Sequence, residues 1–359
     1  MKNSIKNIFD YSLSTAFSVV VILLIILYPH ASTHGAMLGL KLCAQIVIPS
    51  LFPICALVLF LFSTGITNII SDFSYKIGGK KLREITELSL LFVASFTGGF
   101  PIGSIMLSDA VEKLQMSKEC AIKMLYCCVN AGPAFIILTV GNGVLRSAKL
   151  GRLLFFCSLI ASTLIFIFIV ITSKTEMSII NKKPAKTDIY NSFINSVYKA
   201  VVSILSICGY VVLFSSVISV FSQISDKYGI IKAALPFLEI TNGIILLSNS
   251  HLKIAFLTAF GGLCVHFQVL SNCSNFSPSF FKFEISRLFH AVLTTALFFI
   301  TLKIYGITIP TISNGIEFTP KVFYISLAEG ISLCLLSVAL IFSIKQKISG
   351  GKYKSYVLK

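Results

Sequence analysis

The sequence predicts an all-α polytopic membrane protein with about eight transmembrane helices and two re-entrant hairpins, arranged as an inverted repeat. Of the 359 residues, 55% are hydrophobic and 12% are charged, and the charged share is about half that of a soluble protein. Mean hydropathy is +0.89, and several apolar runs exceed the roughly 18 residues that cross a bilayer. This composition excludes a soluble enzyme, a secreted domain and a nucleic-acid-binding protein.

An N-terminal membrane helix is predicted over 12–29, within residues 1–35. Its apolar run is longer than the core of a signal peptide, and no small-residue cleavage site follows it, so we expect it to be retained. A second span covers 36–62, where Pro49 and Pro53 are expected to bend the helix.

A broken apolar segment follows a polar, basic connector. Two arms, Leu88–Thr97 and Ser104–Leu114, flank the run Gly98–Gly103. Each arm makes about 15 Å of helix, which is half of a hydrocarbon thickness of about 30 Å. The segment therefore predicts a re-entrant hairpin with its tip at the glycines.

The same order of elements recurs in the second half: a long helix, a short broken segment, an interrupted helix and a further helix. We expect the two long helices to point in opposite directions, which makes the repeat inverted, a transporter architecture. The second broken segment runs from Ile230 to Leu247 and is interrupted at Glu239–Gly243. The predicted units are an N-terminal transmembrane helix in 1–35, a first repeat in 36–173, a cytoplasmic basic connector in 174–194, a second repeat in 195–305, a C-terminal transmembrane helix in 306–344 and a basic tail in 345–359. The first repeat contains further spans at 120–142 and 152–173. The second repeat contains spans at 195–222, 252–272 and 285–305.

The net charge of +16 comes from 30 Lys and Arg residues against 14 Asp and Glu residues. With both broken segments as hairpins, most basic residues, Arg287 among them, fall on the side that also holds both termini. The positive-inside rule makes that side cytoplasmic. We expect the basic loops to contact anionic lipid and not nucleic acid. Lys41 and Lys199, near the ends of the long helices, either attract anions or snorkel.

The first break carries the strongest functional signal. Three glycines and one proline within six residues cannot continue an ordinary helix. The helix that resumes after them offers free backbone N–H groups and a positive dipole end. This arrangement suits a carboxylate or phosphate; the structural alternative is a tight kink with close packing. The candidate substrate-binding residues here are Thr97, Gly98, Gly99, Phe100, Pro101, Gly103 and Ser104.

Polar residues within apolar spans supply further candidates. Asn130 and Gly132 interrupt the 120–142 span, and the amide of Asn130 can hydrogen-bond a substrate or, alternatively, another helix. Glu239, with Thr241 and Asn242 beside it, is an intramembrane carboxylate and thus a functional candidate that could carry H⁺ or Na⁺. Its structural alternative is to accept a hydrogen bond from a neighbouring backbone N–H or lysine.

The second interrupted helix contains Gly261 and Gly262, followed by His266 and Gln268, which we expect to face a cavity. His266 is also a candidate proton carrier, or else a packing histidine whose hydrogen bonds are satisfied. Cys264 and His266 alone are an incomplete metal set, and no nucleotide-binding or hydrolase motif is present. We therefore expect no metal, no cofactor and no enzymatic activity.

These motifs resemble those of a known family. Family members show Gly-Tyr-Pro where this chain has Phe100 between Gly99 and Pro101, and a Ser where it has Cys264. The family carries nucleoside-recognition gate domains, which also occur in concentrative nucleoside transporters, ferrous-iron permeases and spore maturation proteins. Over residues 36–305, the chain is similar to the sporulation integral membrane protein YlbJ family (also SpoVV) in the order of Gly39–Leu42, Pro49–Pro53, Thr97–Gly103, Asn130–Phe135, Gly141, Leu238–Gly243 and Gly261–Val269.

The resemblance implies a transporter that moves a small organic anion, dipicolinic acid, into the forespore during sporulation. It implies a location in the cell membrane or the outer forespore membrane. The coupling ion, H⁺ or Na⁺, is suggested by Glu239 and not by the resemblance. Phe100 or Phe267 would stack on the aromatic ring of the substrate. The alternatives are a nucleoside or ion transporter with the same gate fold, and a sporulation membrane scaffold that transports nothing. The sequence is also compatible with an oligomer.

Overall fold

The computed structural model describes residues 18–113, 116–172, 188–225 and 229–306, together with Thr15. The regular elements in these residues are helices, which confirms the all-α prediction. Other predicted segments lie outside the described residues: the C-terminal helix at 321–344, the tail at 345–359 and most of the 174–194 connector.

The described helices follow the apolar runs of the sequence. Five stretches among them are long and apolar enough to cross a membrane: Pro29–Ser63, Ala148–Thr172, Ile189–Ser225, His251–Ser271 and Phe280–Ile304. They expose large apolar side chains such as Phe168 and Phe289, so the chain is an integral membrane protein. The helices are α1 (Ser18–Leu27), α2 (Pro29–Ser63), α3 (Ile66–Gly98), α4 (Phe100–Glu112), α5 (Lys118–Leu125), α6 (Phe135–Val144, π-helical), α7 (Ala148–Thr172), α8 (Ile189–Ser225), α9 (Gly229–Ala234, followed by a 3-10 turn at Leu235–Phe237), α10 (Ile240–Leu246), α11 (His251–Phe260), α12 (Gly262–Ser271) and α13 (Phe280–Ile304).

The two long helices, α2 and α8, pack antiparallel. Ser32, near the start of α2, hydrogen-bonds Ser216, late in α8, with 2.8 Å between their hydroxyl oxygens. At the other end, the hydroxyl of Ser63, the last residue of α2, lies 3.4 Å from that of Ser196, early in α8. The opposite directions predicted for the two long helices are therefore observed.

Small residues let α2 and α8 approach closely. A Cβ atom at Gly35 would lie 2.4 Å from the backbone oxygen of Ser215, and one at Gly39 would lie 2.8 Å from the Cα of Val212. Glycines spaced four residues apart are a common contact surface between membrane helices because packing replaces the hydrophobic effect there. This crossing holds the two halves of the chain together.

A π-helical turn at Cys43–Val47 widens α2 just before Pro49. Proline lacks an N–H and its ring clashes with the carbonyl four residues earlier, and the wider turn accommodates both effects without ending the helix. The helix then runs through Pro53 to its last residue, Ser63. Turns of this kind occur often at functional sites.

The segment predicted as a polar connector after residue 62 is helical. α3 starts at Ile66 and, apart from non-helical angles around Gly79 (φ +68°), continues to Gly98. An ion pair between Arg83 and Glu87, one helical turn apart with 3.0 Å between Nε and Oε1, supports this polar part. The short first arm predicted for the hairpin is therefore only the end of a longer helix.

α3 and α4 pack against each other as a helical hairpin whose tip is Gly99, with φ +81°. Near the tip, a Cβ at Gly103 would lie 3.1 Å from the Cβ of Ser95 on the facing arm. α3 begins directly after α2 ends, and Asp109, near the end of α4, forms an ion pair with Lys199 early in α8. Both ends of the hairpin thus lie at the same end of the α2/α8 pair, and Lys199 has a carboxylate partner.

The breaks of the second half are narrower than predicted. Glu239 alone has an extended backbone (φ −140°, ψ 128°), and α10 begins at Ile240, so Thr241–Gly243 are helical. In the same way, α11 ends at Phe260 and α12 begins after Gly261, which is left-handed with φ +98°. Each break is one or two residues wide.

α13 packs against α7 and α11. One basic residue on it, Arg287, does not lie where the predicted charge distribution placed it. Arg287, expected on the cytoplasmic surface, has a side chain that is 0% exposed. Its Nη2 donates to the backbone oxygen of Ala259 near the end of α11. Arg287 is therefore an interior cation and does not count toward the surface charge.

Candidate functional site

Four helix interruptions in the described residues meet in one region of the molecule. A Cβ at Gly99, the tip of the first hairpin, would lie 3.3 Å from the backbone nitrogen of Gly132 in the break between α5 and α6. In the second half, the N–H of Cys264 donates to the carbonyl of Leu238 over 2.8 Å, which joins the start of α12 to the break before α10. Each hairpin break thus contacts the interrupted helix of its own half.

The two halves also touch each other at these breaks. A Cβ at Gly261, in the second half, would lie 3.4 Å from the ring of Phe100, in the first. A Cβ at either glycine would lie near contact distance, but φ is positive at Gly99 and at Gly261, and this backbone conformation is strained for a residue with a side chain. The glycines are therefore required for the breaks to meet.

A cavity of about 50 Å³ lies where the breaks and the two long helices converge. Its wall is mainly apolar, with polar groups contributed by Ser50, Glu239, Thr241 and Gln268. Both halves supply lining residues, and those on α2 belong to the π-helical turn or follow it directly. The lining residues are Ile46, Val47, Ser50, Leu51, Phe100, Pro101, Gly132, Phe135, Ile207, Val211, Glu239, Ile240, Thr241, Val265 and Gln268.

Glu239 caps the N-terminus of α10 with its own side chain. Oε1 accepts from the N–H of Thr241 at 3.0 Å, and Oε2 accepts from the N–H of Asn242 at 2.8 Å. The amide Nδ2 of Asn242 also donates to Oε2 at 2.8 Å. The carboxylate, 1% exposed, thus makes the hydrogen bonds to neighbouring backbone N–H groups that were its structural alternative, and it fills the N-terminus of α10.

The N-terminus of α4 differs because no side chain caps it. Gly99 is the residue before the helix, Phe100 and Pro101 form its first positions, and both of the latter line the cavity. Pro101 has no N–H, and the N–H of Ile102 donates to the carbonyl of Gly99 at 3.2 Å, so the attraction for an anion rests on the positive dipole end of the helix and on the N–H of Phe100. Unlike α10, α4 presents this end to the cavity without a side-chain cap.

Asn130 lies in a buried hydrogen-bond chain beside the cavity. Its Nδ2 donates to the carbonyl of Cys127 at 2.7 Å, and its Oδ1 accepts from Ser162 of α7 at 2.6 Å. The hydroxyl of Ser162 also lies 2.8 Å from Nε2 of His290 on α13. The chain continues to Arg287, whose Nη2 is 3.1 Å from Nδ1 of His290. Asn130 thus makes the interhelical bonds that were the structural alternative.

Ser162→Ala should destabilise the folded protein by about 1–3 kcal/mol, because the substitution leaves buried polar atoms of Asn130 and His290 without their partner. The matched control is Ser203→Ala on α8. Ser203 is also buried, but its hydroxyl has no hydrogen-bond partner among the described residues. That substitution should be neutral or slightly stabilising. Thermal unfolding in detergent compares the two, and equal stability losses would contradict the assigned network.

His266 uses both ring nitrogens within the protein. Nδ1 lies 2.7 Å from Oε1 of Glu284 on α13, and Nε2 lies 2.7 Å from the backbone oxygen of Phe260. The side chain is fully buried and is not part of the cavity wall. Gln268, two residues later, lines the cavity, and its Nε2 donates to Sγ of Cys264.

The predicted site residues fall into two groups. Six line the cavity: Phe100, Pro101, Gly132, Glu239, Thr241 and Gln268. The others support it or lie beside it: Thr97 and Ser104 donate to backbone carbonyls of their own helices, Gly98 lies against the side chain of Ile102, Gly99 and Gly103 make close backbone contacts, Asn242 bonds Glu239 and Ser215, and Asn130 and His266 make the contacts given above. Phe267 lies between Phe214 and Phe280, outside the wall.

Sequence analysis missed Glu284, Arg287 and His290. All three lie within an apolar helix that is long enough to cross a membrane. Ionisable residues in such a helix, three residues apart and thus on one face, are functional candidates by the same rule that selected Glu239. Because the span was predicted to start at residue 285, these three residues were placed near its end, close to water, and were not recognised as ionisable groups inside the membrane.

Among the residues that the structure describes, there is no group of three His, Cys, Asp or Glu side chains suited to a metal ion. No family model, curated protein or solved structure matches this chain. The fold and the site define an integral membrane protein with a small, mainly apolar cavity at the meeting point of its helix breaks.

Proposed function

We propose that this chain is a membrane transporter of a small organic anion, with dipicolinic acid as the substrate that the family resemblance implies. The observation that carries the proposal is the cavity at which four helix breaks from both halves meet. Transporters built from inverted repeats bind their substrates at such a place. Broken helices inside a membrane are otherwise unfavourable, since their unpaired backbone groups need a cavity or a protein cover.

The proposed topology has about eight transmembrane helices and two re-entrant hairpins, with both termini in the cytoplasm. The positions of Ile66 and Asp109 support the first hairpin, because both lie at the end of the bundle where α2 ends and α8 begins. Alternating access would then consist of the hairpins moving relative to the α2/α8 pair. Sporulation and the outer forespore membrane enter the proposal through the resemblance alone.

The two hairpins would have different roles. A substrate carboxylate would meet the uncapped N-terminus of α4, and its ring would lie near Phe100 and Phe135. Glu239 already fills the N-terminus of α10 and would repel a second carboxylate. We therefore place the anionic group of the substrate on the side of the first hairpin.

The described conformation is a closed one. Its cavity of about 50 Å³ is far smaller than the pockets of about 300–1,000 Å³ that hold small molecules. Binding of a ring with two carboxylates requires the walls to separate. The contact between Gly261 and the ring of Phe100 is the place where the two halves would part.

A nucleoside is the second candidate substrate. Glu239, Thr241 and Gln268 give the cavity one carboxylate, one hydroxyl and one amide, a set that can hydrogen-bond a sugar or a base. A nucleoside would use the second hairpin more than the first. A sporulation scaffold would use neither.

Uptake by proteoliposomes tests the proposal. Purified full-length protein is reconstituted, and labelled dipicolinate and a labelled nucleoside are offered in parallel, with protein-free liposomes as control. We expect saturable dipicolinate uptake. Nucleoside uptake alone would keep the site and replace the substrate class. Uptake of neither compound by inserted, folded protein would contradict transport of these substrates and favour the scaffold.

A further inference from the structure

We infer that the coupling ion is a proton and that the pair formed by His266 and Glu284 holds it. The inference rests on the proposed transport function and adds the ion and its site. The pair joins α12, which contributes Val265 and Gln268 to the cavity wall, to α13. It lies beside the α11–α12 break and outside the cavity itself.

The hydrogen bonds of His266 require a shared proton. A neutral imidazole has one N–H donor and one acceptor nitrogen. Here both nitrogens face oxygen atoms at 2.7 Å: a backbone carbonyl of Phe260, which can only accept, and a carboxyl oxygen of Glu284. Neutral histidine with ionised glutamate would leave one ring lone pair, on Nδ1 or on Nε2 according to the tautomer, against an oxygen that can only accept. One additional proton, on the ring or on Glu284, removes that repulsion.

The proton balance is therefore simple. The loaded pair is imidazolium with carboxylate, or imidazole with carboxylic acid, and both forms contain the same single proton. Release of that proton to water leaves a carboxylate and a neutral imidazole with a single N–H. Whichever ring nitrogen keeps the hydrogen, the other faces an acceptor across 2.7 Å, so the contact of His266 with Glu284 on α13 or with Phe260 on α11 opens.

The pair has a route to water. The side chain of Glu284 is 20% exposed, whereas that of His266 is 0% exposed. Glu284 lies in the second turn of α13, close to the connection between α12 and α13. A proton from solution can therefore reach Glu284 and pass to the buried imidazole.

Movement of α12 would connect the proton to the substrate. At one end of α12, a Cβ at Gly262 would lie 3.2 Å from the backbone oxygen of Phe237, just before the Glu239 break. At the other end, Asn272 donates to Ser104 of α4 at 3.1 Å. Opening of either contact of His266 would thus move α12, which is a wall of the cavity and a neighbour of each hairpin.

Other charged groups surround the pair. Arg287, three residues after Glu284 on α13, interacts electrostatically with it. His290 follows on the same helix, Glu239 lies beside Gly262, and Cys264 is on α12. On the other neighbours of α12, Asp109 of α4 and Lys199 of α8 pair with each other.

Glu239 is less suited to carry the ion. Both of its carboxylate oxygens already accept hydrogen bonds, from two backbone N–H groups and one amide. Protonation would remove an acceptor from the cap of α10. The hydrogen bonds of Glu239 are complete without an added proton, whereas those of His266 and Glu284 are complete only with one.

A fluorescence titration tests the proton site without any substrate. The chain contains no Trp, so Phe267→Trp places a single reporter on α12, where Phe267 stacks on Phe280 with ring centroids 6.0 Å apart. We expect the emission of the full-length protein to titrate with pH as a single-proton transition. Glu284→Gln in this background should abolish the transition, because the amide can bond His266 without an extra proton.

His266→Gln is the second variant, since it retains a donor for Phe260 and removes the titrating ring. His34→Gln, on an exposed position of α2, is the matched control and should leave the titration unchanged. A transition that survives both Glu284→Gln and His266→Gln would overturn the inference. Thermal unfolding of each variant identifies any that has not folded.

Uptake separates the two proposals. In wild-type proteoliposomes, an imposed pH gradient should stimulate dipicolinate uptake at least tenfold, and Glu284→Gln should lose that stimulation. A wild-type protein that titrates but takes up no dipicolinate would remove the substrate and leave the proton site standing. Uptake that a Na⁺ gradient drives and a pH gradient does not would overturn the proton inference while keeping the transport function.

Discussion

Gly103→Ala is expected to abolish uptake and to destabilise the protein. The added Cβ would lie 1.8 Å from the backbone oxygen of Cys128, and no side-chain rotation can relieve a clash between two backbones. α4 would have to move away from the break between α5 and α6. Overpacking of this kind costs about 1–3 kcal/mol or more, and the shift would displace Phe100 and Pro101 from the cavity wall.

Gly209→Ala is the matched control for Gly103→Ala. Gly209 lies on α8, and no atom is within 4 Å of the position its Cβ would take. Alanine is a better helix former than glycine by about 1 kcal/mol, so this variant should be at least as stable as the wild type. Thermal unfolding in detergent and uptake by proteoliposomes measure both variants. Equal behaviour of the two would contradict the close contact between α4 and Cys128.

Glu239→Gln should lower uptake at least tenfold and reduce stability by about 1–3 kcal/mol. Glutamine keeps the shape of the side chain but replaces one acceptor oxygen with an NH₂ donor. One of the backbone N–H groups of Thr241 and Asn242 would then face a donor in a buried site. The start of α10, and with it the second hairpin, should loosen.

The control for Glu239→Gln is Glu112→Gln, at the exposed last position of α4. It makes the same chemical change away from the cavity and should leave uptake and unfolding temperature unchanged. If Glu239→Gln behaved like this control in both measurements, Glu239 would be neither a required cap nor part of the site.

The helix breaks could be predicted because local chemistry causes them. The glycines and the proline around Gly99, the Asn130–Pro133 stretch, Glu239 and Gly261 all disfavour continuous helix within apolar runs. The order of the breaks, which is the same in both halves, follows from their spacing in the sequence. The opposite directions of α2 and α8 were expected from the predicted number of membrane crossings between them. The exact limits did not follow, because α10 resumes as soon as Glu239 caps it.

Long-range partners could not be predicted from the sequence. Nothing local indicates that Glu239 fills the N-terminus of α10 while α4 stays uncapped, or that His266 meets Glu284. Arg287 was assigned to the cytoplasmic surface because it lies near the end of an apolar run, whereas its guanidinium group is fully buried against Ala259. Such contacts depend on how α11, α12 and α13 pack, which composition and spacing do not specify.

The most direct test of the cavity as the transport site is dipicolinate uptake by two variants with the same substitution on α8. Val211 lines the cavity, whereas Val202 is 48% exposed on the outside of the bundle. A phenyl ring at position 211 fills a space of about 50 Å³, so Val211→Phe should reduce uptake at least tenfold, and Val202→Phe should match the wild type. Wild-type uptake by a folded Val211→Phe protein would contradict the assignment of this cavity.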